Sequence, residues 1–348
     1  MTQVKQKATP LTRPGGHPWG THRVLSPEGV LPQAAQKLDV SFPIYDNEMA
    51  IELECLNIDS ASFKVLREVA KDNPQKVSRQ ILEIVRERGK MQNPVTGSGG
   101  MLRGRVLQVG PEFPGDFEVG QKVATLVSLT LTPLALEEIE SVDLERDQVY
   151  AKGRAIIFAS GVVAPLPEDM EESLALAVLD VCGAPAWTKR LVQPQDRVLI
   201  MGLGKAGILS ALAAREVVAE SHLFVMDQRP LAESVHDLLG KGVGFLQGDV
   251  KRPLHAYEEL KNRGGVDFDL VMNTCNTPET ETAAILACRP GGKIYFFNMA
   301  TEFGRAVLTA EGLGKDVQLV MGNGYAPGHW EYALNLVRRH PHLRRMLL

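Results

Sequence analysis

Arg197-Val-Leu-Ile-Met-Gly202-Leu-Gly204-Lys-Ala-Gly207-Ile-Leu-Ser-Ala-Leu-Ala-Ala214 is the stretch of sequence that decides the fold. An apolar segment typical of a buried strand leads into a G-x-G-x-x-G motif, and an alanine-rich segment typical of a helix follows. Gly202 would permit a tight turn, Gly204 would let the backbone approach a pyrophosphate, and Gly207 would allow helix and strand to pack closely. The stretch therefore predicts a Rossmann unit whose helix N-terminus binds the pyrophosphate of a dinucleotide.

A second predicted strand, 223–226, leads directly into Asp227. An acidic residue there can accept hydrogen bonds from both ribose hydroxyls, and its charge repels a 2′-phosphate. The sequence therefore favours NAD, while NADP stays possible because Arg229 offers a cation for that phosphate. The alternative is a glycine-rich turn of a doubly wound sheet that binds a different ligand. The predicted cofactor contacts are Gly202, Leu203, Gly204, Lys205, Ala206, Gly207, Asp227, Gln228, Arg229, Asn273, Thr274 and Asn298.

The composition is that of an ordinary globular protein, and the 348 residues suggest two domains. A formal net charge of −4 without a basic run argues against nucleic acid as a partner. The four cysteines are far apart in the sequence, so neither a disulfide framework nor a structural zinc site is expected. The first residues lack the apolar core of a signal peptide, and no apolar stretch is long enough for a membrane span. These observations predict a cytoplasmic enzyme with no membrane partner.

The two halves of the chain differ in their pattern of elements. From about residue 165 onward, apolar strands alternate with helices, which is typical of a parallel sheet covered by helices. Before that point the sequence is rich in turn residues and reads as a β-rich unit. In this first half we predict strands at 48–58, 102–109 and 121–129 and a helical stretch at 62–88.

Two segments of the β-rich half carry a family resemblance. Gly104-Arg-Val-Leu-Gln-Val-Gly110 and Phe117-Glu-Val-Gly-Gln-Lys-Val123 resemble the G-x-V-x-x-V-G…F-x-V-G-D-x-V signature of the medium-chain dehydrogenase/reductase superfamily. Gly291-Gly-Lys-Ile294 is similar to the start of that superfamily's fifth Rossmann strand. The resemblance implies an α/β oxidoreductase with a doubly wound parallel Rossmann sheet and a β-rich, GroES-like catalytic domain, and we expect a homo-oligomer, specifically a homodimer. We expect 1–165 with 316–348 to form the catalytic domain and 166–315 the Rossmann domain.

The chain departs from the zinc-dependent members of this superfamily. Those members carry Gly-His-Glu where this sequence has 99–104, Gly-Gly-Met-Leu-Arg-Gly, so the His and Glu are missing. Asp59 stands near the position of their first zinc cysteine, and the cluster of four structural cysteines is absent. Cys182 falls near a further zinc position but has no obvious co-ligands, and a catalytic zinc needs three protein ligands. We therefore expect a metal-free enzyme.

Two unusual segments carry a narrower resemblance. Residues 20–33, Gly-Thr-His-Arg-Val-Leu-Ser-Pro-Glu-Gly-Val-Leu-Pro-Gln, and residues 91–102, Met-Gln-Asn-Pro-Val-Thr-Gly-Ser-Gly-Gly-Met-Leu, resemble the L-erythro-3,5-diaminohexanoate dehydrogenases of lysine fermentation. The resemblance implies NAD(P)-dependent oxidative deamination to 5-amino-3-oxohexanoate and ammonia. The alternatives are a zinc-independent quinone or enoyl reductase and a non-catalytic dinucleotide-binding regulator.

An amine substrate fits the missing zinc ligands. The nitrogen lone pair of a neutral amine assists the departure of hydride, so the reaction needs a base and a carboxylate near the developing positive charge, but no metal. A quinone or enoyl reductase needs no metal either, so this chemistry leaves both classes open.

A substrate with two ammonium groups and one carboxylate calls for acids and for hydrogen-bond donors. Asp59 and Asp180 are the acids that we predict, each with a helix cap or a surface carboxylate as the alternative. A histidine of the N-terminal stretch, His17 or His22, is a further candidate base, with a structural histidine or a surface loop as the alternative. The polar loop residues that we predict to bind the carboxylate, with turn formation as their alternative, are Ser60, Asn93, Thr96 and Ser98.

Overall fold

The structure is a computed structural model and describes residues 11–263, 265–298, 300–322 and 324–347. The chain divides into two compact units, residues 1–168 and 169–348. Their boundary follows Pro165-Leu-Pro167, where the sequence pattern changes. Among the described residues, no helix has the length and apolar character needed to cross a membrane.

In its described residues, 11–168, the first unit is built around a six-stranded antiparallel sheet with two α-helices. A short strand pair formed by the N-terminal segment lies outside this sheet. The elements in chain order are β1 (Val24–Ser26), β2 (Lys37–Leu38), β3 (Glu48–Ile58), α1 (Ser60–Ala70), α2 (Pro74–Arg88), β4 (Gly100–Val109), β5 (Lys122–Thr125), β6 (Leu134–Asp143), β7 (Gln148–Phe158) and β8 (Val163–Pro165).

The strand order in this sheet is β6-β7-β3-β4-β5-β8, and every neighbouring pair is antiparallel. Strand β3 is paired on both sides, and alternate residues Met49, Ile51 and Leu53 enter the apolar core. Phe63 of α1 and Ile81 of α2 belong to the same core, so the helices cover one face of the sheet. The β-rich character predicted for this half is confirmed.

Two local predictions for this unit need correction. The helical stretch 62–88 is two helices, because Lys71 and Asp72 adopt left-handed backbone angles and Asn73 caps a new helix that starts at Pro74. The strand predicted at 121–129 is limited to β5, and the hairpin of β6 and β7 was not predicted at all. Register shifts within β6 interrupt the alternation of apolar and polar residues by which a strand is recognised.

The segment that precedes β1 is held to the start of β3 by a buried ion pair between Arg23 and Glu48, both 0% exposed. The Nε and one terminal nitrogen of Arg23 each donate to a carboxylate oxygen of Glu48 at 2.6 Å. The backbone N–H of Tyr45 also donates to Glu48, and His22 Nε2 lies 2.8 Å from the same carboxylate. The Nδ1 atom of His22 accepts the backbone N–H of His17. Both ring nitrogens of His22 therefore have hydrogen-bond partners, and the residue belongs to the network around the ion pair. This arrangement argues against its use as a catalytic base.

The second unit contains a six-stranded parallel sheet with helices between the strands. Its elements in chain order are α3 (Glu172–Leu179), α4 (Gly183–Leu191), β9 (Val198–Met201), α5 (Lys205–Arg215), β10 (Leu223–Asp227), α6 (Glu233–Leu239), β11 (Gly244–Gln247), α7 (Pro253–Arg263), β12 (Phe268–Asn273), α8 (Glu281–Ala287), β13 (Cys288–Phe296), α9 (Phe303–Gly312), β14 (Gln318–Met321), α10 (His329–Arg339) and α11 (Arg344–Leu347).

The order β11-β10-β9-β12-β13-β14 is the 3-2-1-4-5-6 arrangement of a doubly wound Rossmann sheet. The central strand β9 is buried along its whole length, as expected for a parallel strand covered on both faces. The fold class predicted from the glycine motif is confirmed. The assignment of 316–348 to the β-rich domain needs correction, because β14 pairs with β13 and extends the parallel sheet.

Candidate functional site

The glycine-rich turn lies where the direction of strand order reverses, between β9 and β12. Gly202 has φ of +86°, and a Cβ there would approach the backbone nitrogen and Sγ of Cys275 to 3.1 and 2.9 Å. A Cβ on Gly207 would overlap the carbonyl oxygen of Gly202, so helix α5 packs directly against the turn. In doubly wound sheets, ligands bind at this switch point, beyond the carboxyl ends of the strands.

The N-terminus of α5 is free to bind an anion. Gly204 is its N-cap, and this glycine provides no side-chain cap for the first-turn N–H groups. Apart from the neighbouring residues of the chain, no atom lies within 4 Å of the position of a Cβ on Gly204. Leu203 and Ala206 are buried, whereas Lys205 is exposed at the start of the helix. The residues present therefore fit the pyrophosphate of a dinucleotide, which the helix dipole and the free N–H groups would stabilise.

Asp227 ends β10 next to this turn. Its Oδ2 accepts the backbone N–H of Leu203 at 2.7 Å, and its Oδ1 accepts the backbone N–H and the Nε of Arg229 at 2.9 and 3.1 Å. Burial opposes the ionised form, but these hydrogen bonds outweigh it, and the pKa of the Asp227 carboxyl lies below its ordinary value. Gln228 is exposed, and its carbonyl accepts a hydrogen bond from Gln247. An anionic carboxylate thus stands where a ribose would bind.

Three further predicted cofactor residues lie at or after the carboxyl ends of β12 and β13, namely Asn273, Thr274 and Asn298. The Asn273 amide bonds to Thr280 and to the backbone of Cys275, and Thr274 Oγ1 donates to the carbonyls that flank the glycine turn. The carbonyl oxygen of the Asn298 side chain accepts the N–H of Ala300, whereas its Nδ2 is buried without a partner in the described structure. Asn273 and Thr274 therefore hold the loops, and Asn298 keeps one unused donor.

In the first unit, the predicted acid Asp59 lies between β3 and α1 and caps the helix. Its Oδ1 accepts the backbone N–H of Ser62 at 3.0 Å, which is the structural alternative foreseen for this residue. Its Oδ2 accepts the hydroxyl of Ser98 at 2.8 Å. The Ser62 Oγ lies 2.5 Å from Thr96 Oγ1 and 2.8 Å from Ser98 Oγ, and the last two are 3.1 Å apart. We name Ser62, Thr96 and Ser98 the hydroxyl cluster.

The loop that carries Thr96 and Ser98 is fixed by Asn93, which is buried. Its Nδ2 donates to the carbonyl of Ser62, its Oδ1 accepts the N–H of Val95, and its own N–H donates to the carbonyl of Ser98. The loop is thereby fastened to the first turn of α1. With both ends of its amide used, Asn93 has a supporting role rather than a free donor for a substrate.

Four of the six predicted catalytic residues therefore lie together in the first unit, and Ser62 joins them; the four are Asp59, Asn93, Thr96 and Ser98. Ser62 was missed, although its position is implied once Asp59 is recognised as a cap, because the cap bonds to the residue three places on. Ser60 is exposed at the first position of α1. Asp180 belongs to the second unit, where it is exposed and ends α3.

The described part of the chain contains no group of three or more His, Cys, Asp or Glu side chains able to hold a metal ion. Burial raises the pKa of the Cys55 thiol to about 11. Burial, assisted by the charge of Asp180, raises the pKa of the Cys182 thiol to about 12. Both thiols are therefore protonated near neutral pH as long as no cation lies beside them.

Comparison with known proteins places these features in a family. A family model described as the L-erythro-3,5-diaminohexanoate dehydrogenase N-terminal domain matches residues 22–167. The chain is 46% identical over 329 residues to the L-erythro-3,5-diaminohexanoate dehydrogenase of Acetoanaerobium sticklandii. The aligned residues cover 93% of this chain and 95% of the relative. The chain belongs to the L-erythro-3,5-diaminohexanoate dehydrogenase family. A second member, from Fusobacterium nucleatum, is 45% identical over 338 residues, covering 95% of this chain and 97% of the relative.

Solved structures share the fold of this family member at low sequence identity. The CurK enoyl reductase has a TM-score of 0.54 at 18% identity, covering 93% of this chain and 89% of the other. The quinone oxidoreductase from Coxiella burnetii has a TM-score of 0.53 at 16% identity, covering 88% and 84%. These similarities concern the fold alone, and they agree with a Rossmann sheet joined to a β-rich unit. A dehydrogenase of this fold uses a nicotinamide dinucleotide, and the glycine turn fits that group.

Proposed function

We propose that this protein catalyses the dinucleotide-dependent oxidative deamination of L-erythro-3,5-diaminohexanoate, giving 5-amino-3-oxohexanoate and ammonia. The observation that carries the proposal is the identity of 45–46% with two dehydrogenases of that name over nearly the whole length of both chains. The geometry supports the proposal. The carboxylate of Asp59 is fixed by hydrogen-bond donors in the matched N-terminal domain, and the glycine turn of the Rossmann unit fits a dinucleotide.

In this proposal Asp59 takes a proton from the reacting ammonium of the substrate, so that the nitrogen lone pair is free. When bound, the nicotinamide dinucleotide supplies the hydride acceptor for this reaction. The iminium left on the substrate is then hydrolysed by water to the ketone and ammonia. The carboxylate of Asp59 is suited to this role because Ser62 and Ser98 fix both of its oxygens, and its charge stabilises the developing cation.

The other substrate groups need separate partners. We propose that Asp180 binds the distal ammonium, since one carboxylate does not serve two separated cations. Ser98 donates to Asp59 and Thr96 bonds to Ser98, so we propose that they hold the base rather than the substrate carboxylate. Ser60, with its exposed side chain, is the donor that we propose for that carboxylate.

Replacement of the two acids should have different kinetic effects. Asp59→Asn should lower kcat and kcat/KM together by about 10²–10⁴-fold, the usual contribution of a positioned base, with a partial recovery as rising pH supplies free amine. Asparagine caps a helix about as well as aspartate does, so α1 should stay folded. Asp180→Asn should mainly raise KM. The control is Asp116→Asn, an exposed loop position, and wild-type kinetics in both acid variants would contradict these roles.

We propose NAD as the preferred cofactor because the ionised carboxylate of Asp227 repels a 2′-phosphate. Asp227→Ala should weaken NAD binding by about tenfold or more, the cost of losing hydrogen bonds to a charged acceptor, and should weaken NADP less. Calorimetric titration of both dinucleotides measures the two effects. Tighter binding of NADP than of NAD by the wild type would contradict the proposal and would assign the decisive contact to Arg229, which Arg229→Ala would then remove.

We propose that the reaction needs no metal. Activity should survive exhaustive treatment with a strong chelator, and elemental analysis should find zinc well below one equivalent per chain. A full equivalent of zinc whose removal abolishes activity would contradict this proposal.

We further propose that the protein is a homodimer that acts in the cytoplasm. Strand β14 is the edge of the parallel sheet, and none of its four residues is buried although Leu319, Val320 and Met321 are apolar. Such an edge favours pairing with a second copy. The cysteines Cys55, Cys182, Cys275 and Cys288 are all free, as in a reducing compartment. Sedimentation equilibrium should give twice the chain mass, and a monomer would contradict the pairing.

The direct test of the proposed function is turnover of the named substrate. L-erythro-3,5-diaminohexanoate with NAD should produce reduced cofactor, and an analogue without the distal amine should react far more slowly. Oxidation of NAD(P)H by quinones or enoyl thioesters, with no reaction of the diamine, would favour a reductase instead. Binding of the dinucleotide without turnover of either class would favour a regulator.

A further inference from the structure

The hydroxyl cluster connects Asp59 to the surface of the first unit. Ser62 is fully buried at the centre of the cluster, whereas Thr96 is exposed. An ionised carboxylate only accepts hydrogen bonds, so Ser98 must donate its hydroxyl proton to Asp59. The oxygen of Ser98 then accepts from Ser62 or Thr96, which lie 2.8 and 3.1 Å away. The cluster is therefore a continuous chain of hydrogen bonds with one ordered end at the carboxylate and one end at solvent.

We propose that the hydroxyl cluster is a proton relay that carries the proton taken up by Asp59 to solvent through Thr96. The inference rests on the proposed function, in which Asp59 is the proton acceptor. Oxidation of an ammonium to a ketone, with ammonium as the second product, releases one net proton in each turnover. Asp59 must lose that proton before it can act again.

The relay balances without any further reactant. The N–H bond of the substrate ammonium breaks and its proton binds the Asp59 carboxylate, while the electron pair stays on nitrogen. The protonated carboxyl then donates from Oδ2 to the oxygen of Ser98. Ser98 passes its own proton to Thr96, directly or through Ser62, and Thr96 releases one proton to water. Each hydroxyl gains one proton and loses one, so the cluster returns to its starting composition.

A purely structural cluster would have a different signature. If the three hydroxyls only fasten the loop to α1, their removal should lower stability and leave proton transfer unchanged. A relay predicts a defect that is specific to proton transfer. It also predicts an order of effects: Thr96 is the most exposed member of the cluster and therefore the proposed exit, whereas the direct 3.1 Å contact between Thr96 and Ser98 bypasses Ser62.

The test compares Thr96→Val, which removes the hydroxyl but keeps the shape of an exposed side chain, with Thr96→Ser, which keeps a hydroxyl. With diaminohexanoate and NAD, Thr96→Val should lower kcat by about tenfold, a part of the rate that positioned proton transfer supplies. Its solvent deuterium isotope effect should increase, and a high concentration of imidazole buffer should restore the rate. Thr96→Ser should recover most of the activity, and Ser62→Ala should show a smaller defect than Thr96→Val.

Ser78→Ala is the matched control, since it removes a serine hydroxyl from helix α2, away from the hydroxyl cluster. It should leave the rate and the isotope effect unchanged. A wild type that does not deaminate the diamine would overturn the proposed function and the relay together. A wild type that does so, with a Thr96→Val variant of equal rate and no response to buffer, would overturn the relay alone.

Discussion

The Gly204→Val variant should keep its fold and lose its affinity for the dinucleotide. Gly204 has φ of −74°, which any L-residue adopts, and the space around a Cβ there is empty to 4 Å. The valine side chain would therefore be accommodated by the protein, but it would occupy the approach to the free N–H groups of α5. Loss of two charge-assisted hydrogen bonds costs about 3 kcal/mol, so affinity should fall by about a hundredfold or more. Calorimetric titration and the thermal midpoint measure the two properties separately.

Two other glycines make this result specific. Gly312→Val places a side chain in similarly empty space at the end of α9 and should change neither property. Gly207→Val should destabilise the second unit, because its Cβ would overlap the carbonyl of Gly202. A Gly204→Val protein that binds the dinucleotide as tightly as the wild type would place the cofactor site elsewhere.

Glu48→Gln should destabilise the first unit strongly. The substitution removes one charge of a buried pair and leaves the Arg23 guanidinium with only the more distant carboxylate of Asp39, 3.6 Å away. Breaking such a pair costs about 3–5 kcal/mol, which corresponds to a fall in thermal midpoint on the order of 10 °C for a domain of this size. Urea unfolding of Glu52→Gln, an exposed glutamate on the same strand, is the control. An equal effect of the two substitutions would contradict the role of the ion pair.

The same ion pair should make stability depend on pH in the acid range. Hydrogen bonds from His22 and Arg23 overcome the effect of burial and lower the pKa of Glu48 from 4.5 to about 2. The folded-state pKa lies below the unfolded one, so this contribution is complete above about pH 4.5 and disappears as pH falls towards 2. The shift corresponds to about 3 kcal/mol. The difference in unfolding free energy between wild type and Glu48→Gln should shrink over that range, and a constant difference would contradict this account.

The Rossmann unit was predictable because its signals are local. The buried strand β9, the glycine turn and helix α5 are adjacent in sequence, and Asp227 directly follows the apolar residues of the next strand. The segment 316–348 was assigned to the β-rich domain because the resemblance to the superfamily implied a return to that domain, whereas β14 pairs with β13 and joins the parallel sheet. In the β-rich unit, strand β6 was not predictable because its register shifts interrupt the alternation of apolar and polar residues.

The candidate site was predictable only in part. Residue type and position suggested Asp59, Thr96 and Ser98 separately, but their hydrogen bonds join segments that are 34–39 residues apart. Ser62 was missed because its importance comes from that contact and not from its neighbours in sequence. The sequence offered His22 either as a base or as a structural histidine, and its contact with Glu48 supports the structural alternative.

The central claim is that this protein couples hydride transfer to the loss of an amine. Its most direct test is the stoichiometry of the reaction with purified L-erythro-3,5-diaminohexanoate and NAD, with reduced cofactor and ammonia measured in the same sample. We predict that ammonia and reduced cofactor form in equal amounts and that Asp59→Asn suppresses both together. Reduced cofactor without ammonia, or no reaction of this substrate at all, would contradict the account.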